Sequence, residues 1–104
     1  MRKIVSLVFF LGFVLMLFGC DANQDATYKV TYLGNGQTSG FPPVDNKTYT
    51  IGEEAVILSG NTLLKNEKSF KNWNTKADGS GNDFMVHDKI TVNGAVFLYA
   101  IYED

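Results

Sequence analysis

The chain is 104 residues long, with 45% hydrophobic residues, 9 basic and 11 acidic side chains, and a formal net charge of −2. That length allows one small domain, and the acidic balance argues against nucleic acid or anionic lipid headgroups as partners. Cys20 is the single cysteine, so no intramolecular disulfide can staple the fold and packing must hold it together.

Arg2 and Lys3 precede an apolar run from Ile4 to Phe18, and Leu17-Phe18-Gly19-Cys20 closes it. Positive charge, a greasy stretch and a small residue before cysteine are the ordered parts of a bacterial lipoprotein signal. The run is shorter than the about 20 residues a spanning helix needs, and Asp21, Asn23, Gln24 and Asp25 follow at once. The expectation is a helical signal peptide over residues 1–19, lipid on Cys20 and a polar tether over residues 20–27. Without residues 1–19 the chain loses Arg2 and Lys3, leaving 7 basic against 11 acidic residues and a net charge of −4. Lipid on Cys20 would fix the chain to a membrane, since each buried CH₂ contributes about 0.8 kcal/mol. Asp21 resembles an inner-membrane retention signal of some Gram-negative bacteria, although such rules differ between groups.

Folded structure is expected over residues 28–103. Tyr28 to Leu33 alternates Tyr28, Val30 and Tyr32 with Lys29 and Thr31, the period of a half-buried strand. Gly34-Asn35-Gly36 ends it, and the segment from Gly34 to Asn46, with Gly40, Pro42 and Pro43, predicts a long irregular connection. Lys47 to Ile51 and Ala55 to Ser59 read as adjacent strands around Gly52-Glu53-Glu54, a hairpin or a bulged strand. Gly60 to Lys68 lacks helical periodicity and reads as loop. Ser69 to Asn74, with Phe70 and Trp73, reads as a strand closed by Asp78-Gly79-Ser80-Gly81, whose glycines suit a tight reversal. Asp83 to Val86 reads as a short strand, Lys89 to Val92 as an extended piece and Asn93-Gly94 as a turn. Ala95 to Tyr102 is apolar at every position, which predicts a central strand covered on both faces. Its expected neighbour is Tyr28 to Leu33, in parallel, because the intervening chain is long enough for the crossover.

Tyr32-Leu33-Gly34-Asn35-Gly36, Phe70 to Gly81 with its Trp-Asn-Thr-Lys-Ala-Asp-Gly-Ser-Gly run, and Leu98-Tyr99-Ala100 occur in one order. Together they resemble the Listeria–Bacteroides repeat, the module of the internalin B-repeat, from about Tyr28 to Glu103. The resemblance implies a mainly β single domain with a β-grasp-like sheet, a small α+β arrangement being the alternative, on an extracytoplasmic bacterial protein without enzymatic activity. Family members often carry tandem copies on large adhesins, whereas one copy is found here. An aspartate is common in the family where Leu33 stands, and an aromatic often follows the last strand where Tyr102 stands.

Few residues of the chain carry a pattern of chemistry. His87 is the single histidine, and without a nucleophile beside it no hydrolytic triad is built. It reads as a solvated turn residue. Asp78, Ser80, Asn82 and Asp83 open like a calcium loop, but the sixth position is Asp83 and the twelfth is Lys89, so the frame fails. Gly34-Asn35-Gly36-Gln37 lacks the lysine-serine pair of a phosphate loop. Asn46-Lys47-Thr48 has the form of a glycosylation acceptor, which means little in a bacterial lipoprotein. Trp73, Phe70, Tyr99 and Tyr32 fit either a sugar-stacking platform or, preferably in so small a domain, an aromatic core with Trp73 buried.

The expectation is therefore a monomer with no catalytic residue, cofactor or metal, anchored to the membrane through lipid on Cys20 and facing the periplasm or cell exterior. It would bind a protein or glycan; the alternative is a small inhibitor or accessory subunit of another envelope protein. The candidate binding residues are Phe41, Pro42 and Pro43, a stiff apolar loop tip, with exposed strand edges as the other docking feature. Against the tip stands the option that Phe41 folds back to cap the core.

Overall fold

The computed structural model describes residues 26–104; the expected signal peptide, Cys20 and most of the tether lie outside the described residues. The described residues form a mainly β, single small domain with no helix. Its strands are β1 (Val30–Leu33), β2 (Glu54–Val56), β3 (Leu64–Lys65), β4 (Lys68–Asn74), β5 (Asp83–Phe84), β6 (Lys89–Thr91) and β7 (Val96–Tyr102).

Five strands make one sheet in the order β1-β7-β4-β3, with β5 sharing the outer side of β4, while β2 and β6 make a second antiparallel pair. β7 is central, as its apolar run requires: it pairs in parallel with β1 (Val30 opposite Val96) and antiparallel with β4 (Trp73 opposite Ala100). Its two faces differ, however. Leu98 and Ala100 are fully buried, but Phe97 on the opposite face is half exposed, so the strand is not covered on both faces. A single layer of irregular chain and the β2–β6 pair closes one face of the sheet, and so small a domain has no second layer to complete the other.

Phe70 and Trp73 are three residues apart, and in a regular strand they would point to opposite faces. A register shift between Phe70 and Asn72 resolves this: Phe70 pairs with Tyr102 and Trp73 with Ala100, both on the core face. The bulge lets Tyr32, Trp73 and Phe70 stack with ring centroids 4.8 and 4.9 Å apart. Around them the core gathers Val30, Ile57, Leu63, Val92 and Leu98. Tyr99, expected in the core, lies on the opposite face with Asn72 and Asn74; Tyr32 and Tyr49 are the buried tyrosines.

Two local expectations are corrected. Lys47 to Ile51 and Ala55 to Ser59 do not form a hairpin: Tyr49 makes one bridge to Tyr28, and β2 pairs with β6 across the domain. Pairing with β6 places Ala55 and then Ile57 in the core, next to Val92. Gly60 to Lys68 is not simply loop, because Leu64–Lys65 pairs with Lys68–Ser69 around Asn66-Glu67. Both turn residues have positive φ, 51° and 70°, the type I′ geometry that matches strand twist. The sequence concealed this turn because Glu67 stands where glycine is usual.

Candidate functional site

The segment from Gly34 to Val44 is irregular but tied down at both ends. Ser39 bridges Leu64 at the outer edge of β3, and Val44 bridges Thr31 at the outer edge of β1. Between these anchors the Thr62 hydroxyl donates to the Phe41 carbonyl at 3.3 Å. Gly40 sits at φ +81°, and a Cβ there would lie 2.1 Å from the Thr62 carbonyl oxygen, so no other residue fits this crossing. The segment thus bridges the outer edges of β1 and β3 and holds its own middle in place.

Phe41 projects from that held backbone with 83% of its surface exposed, and does not fold back onto the core. Pro42 and Pro43 are half-buried and, with Val44, form one wall of a cleft of about 190 Å³ against Thr31 and Tyr32 of β1. This is smaller than the roughly 300–1,000 Å³ of a small-molecule pocket. Val44 is 76% exposed beside Phe41 and was missed as a candidate, although an uninterrupted Phe-Pro-Pro-Val run in a loop was its visible signal. Phe97 opens a second, shallow apolar depression between Ile90 and Tyr99.

The other motifs resolve into structure. Asn74 is fully buried and makes four hydrogen bonds: its Nδ2 donates to Asp83 Oδ1 (2.7 Å) and the Gly79 carbonyl (3.2 Å), and its Oδ1 accepts from the Lys76 and Gly81 amides (both 2.9 Å). Asn72 Nδ2 donates to the same Asp83 oxygen at 2.9 Å. A Cβ on Gly81 would lie 2.1 Å from Thr75 Oγ1. The Trp-Asn-Thr-Lys-Ala-Asp-Gly-Ser-Gly run is therefore a loop wound around an asparagine, with Trp73 in the core, Gly81 where a side chain would collide and Gly79 at a left-handed φ of 82°. The Ser80 hydroxyl and amide donate to Asp78 and hold its carboxyl below the ordinary range. Asp83 is engaged by Asn72 and Asn74, and among the described residues no group of three or more His, Cys, Asp or Glu side chains gathers as a metal site. His87 is exposed at φ 77° in the turn from Met85 to Asp88.

The described surface is that of a small β module whose outward features are a held loop tip and apolar patches. The model of the Listeria-Bacteroides repeat domain matches residues 28–101, and the chain belongs to that family. Two proteins of Evansella cellulosilytica are similar to it. One, named "Putative membrane protein", is 37% identical over 61 residues, covering 59% of this chain and 9% of its own. The other, named "Putative Gly-rich membrane protein", is 34% identical over 77 residues, covering 73% of this chain and 9% of its own. The chain thus spans about a tenth of the length of these relatives. No solved structure matches it.

Proposed function

We propose that the chain is a non-catalytic interaction module of the bacterial envelope, anchored through lipid on Cys20, that engages a protein or glycan with the Phe41-Pro42-Pro43-Val44 tip. The observation that carries this reading is Phe41, an aromatic 83% exposed on a backbone tied at Ser39, Thr62 and Val44. Exposing so much apolar surface gains nothing for folding, whereas a preformed apolar tip lowers the ordering cost of binding. An envelope location is supported by the membership in the repeat family and by the printed names of the two relatives. The β-grasp likeness is supported by the parallel pairing of β1 with β7 at the centre of the sheet. Because bridges at Tyr28–Tyr49 and Thr31–Val44 are antiparallel, the segment runs along β1 away from Tyr28 as it approaches Phe41. The tip therefore lies at the end of β1 opposite Tyr28.

Cross-linking in intact cells, comparing wild type with Phe41→Ala, tests this. Capture should fall several-fold while stability stays within about 0.5 kcal/mol, as for an exposed substitution. Undiminished capture by the folded variant would defeat the tip as the binding element.

A further inference from the structure

Two Asn-Gly pairs stand among the described residues, Asn35-Gly36 and Asn93-Gly94, and the fold treats them oppositely. A glycine nitrogen, free of side-chain hindrance, can attack the amide carbon of the preceding asparagine. The new bond joins glycine N to Asn Cγ. The side-chain nitrogen departs as ammonia with the proton lost from the glycine amide, leaving a succinimide. Water opens either carbonyl to give aspartate or isoaspartate, so one water is consumed and one ammonia released.

Asn35 commits its amide: Nδ2 donates to the Ala77 carbonyl at 2.8 Å and to the Ala100 carbonyl at 3.0 Å. Reaction there must break both bonds, and an aspartate would set carboxylate oxygens against two carbonyl oxygens. Asn93 is exposed in the bend between β6 and β7, and a Cβ built on Gly94 meets nothing within 4 Å.

We propose that Asn93 is a site of spontaneous modification by amide loss, and that Asn35, in the same dipeptide, is protected by its two carbonyl contacts. Each event adds one negative charge, and isoaspartate also lengthens the main chain just where Ala95 leads into the central strand.

The test is incubation of the purified full chain in detergent and mildly alkaline buffer, folded or in urea, followed by trypsin and fragment mass spectrometry. Cleavage after Lys89 releases Ile90 to Asp104, in which Asn93 is the sole asparagine, and Val30 to Lys47 reports Asn35 separately from Asn46. In the folded chain Asn93 should convert at least about tenfold faster than Asn35, the factor that breaking two hydrogen bonds implies. In urea the two rates should converge. Equal rates in the folded chain, a gap that persists in urea, or an Asn93 that converts only in urea would each overturn the proposal.

Discussion

Trp73 fills the centre of the core, and its indole N–H donates to the Leu58 carbonyl at 2.8 Å. Tyr32 completes the arrangement, its hydroxyl accepting from the Leu58 amide at 3.0 Å. Two aromatic side chains thus satisfy the backbone of an irregular segment that has no strand partner of its own there. Trp73→Ala should cost about 3–5 kcal/mol in chemical denaturation, and wild-type melting would refute the packing account. Tyr49 offers a pH-dependent counterpart. Burial first, and then the hydrogen bond that its hydroxyl donates to Asp45 at 2.7 Å, push the phenol up from 10.0 to about 12. A raised phenol contributes stability that is complete below pH 10 and is lost as pH rises through about 12, because the unfolded chain releases its proton first. The stability difference between wild type and Tyr49→Phe should therefore shrink across that window, and absorbance titration should lose its latest tyrosinate step. A difference that is flat with pH would contradict this.

Among the elements, those with a strong local pattern were legible and those set by a distant partner were not. The continuous apolarity of Ala95 to Tyr102 revealed a central strand, and the alternation from Tyr28 identified its parallel neighbour. Nothing local in Glu54–Val56 signals that its partner is Lys89–Thr91, since pairing there is chosen by which register buries Ala55 and Ile57. The bulge in β4 was equally hidden, although the spacing of Phe70 and Trp73 demands it once both are assigned to the core. The β3–β4 turn was missed because Glu67 adopts φ 70° without being glycine. Glu67→Gly should therefore raise stability by up to about 1 kcal/mol by removing a left-handed strain from a two-residue turn. A lowered denaturation midpoint would show that the Glu67 side chain contributes more than its backbone costs.

At the scale of the whole molecule, residues 34–49 are both the most irregular stretch and the closure of the larger sheet. Glycine and proline made the irregularity legible, and Phe41 was legible as an apolar loop residue. The bridges of Ser39 and Val44 that hold it out depend on tertiary neighbours far along the chain, which no local pattern encodes. With the edges of β1 and β3 bridged by this segment and β5 only two residues long, strand addition is the weaker route to a partner and the tip the stronger. The anchor is tested separately. Cys20→Ser should leave an uncleaved precursor that takes up no labelled fatty acid; unchanged labelling would remove the lipid from the proposal while leaving the tip untouched.

The pairing of β1 with β7 also dictates an order of events during synthesis. Val30 meets Val96 only after nearly the whole domain has been made, so the central hydrogen-bond ladder closes a long loop and cannot form early. Until Val96–Tyr102 emerges, β1 lacks its sheet neighbour and β4 lacks one of its own. A nascent chain of this design stays open and threadable, and it commits to its fold only when the last strand arrives. For a chain that the proposed function sends across a membrane, that delay would leave the sheet's central ladder unformed until the last strand has been made.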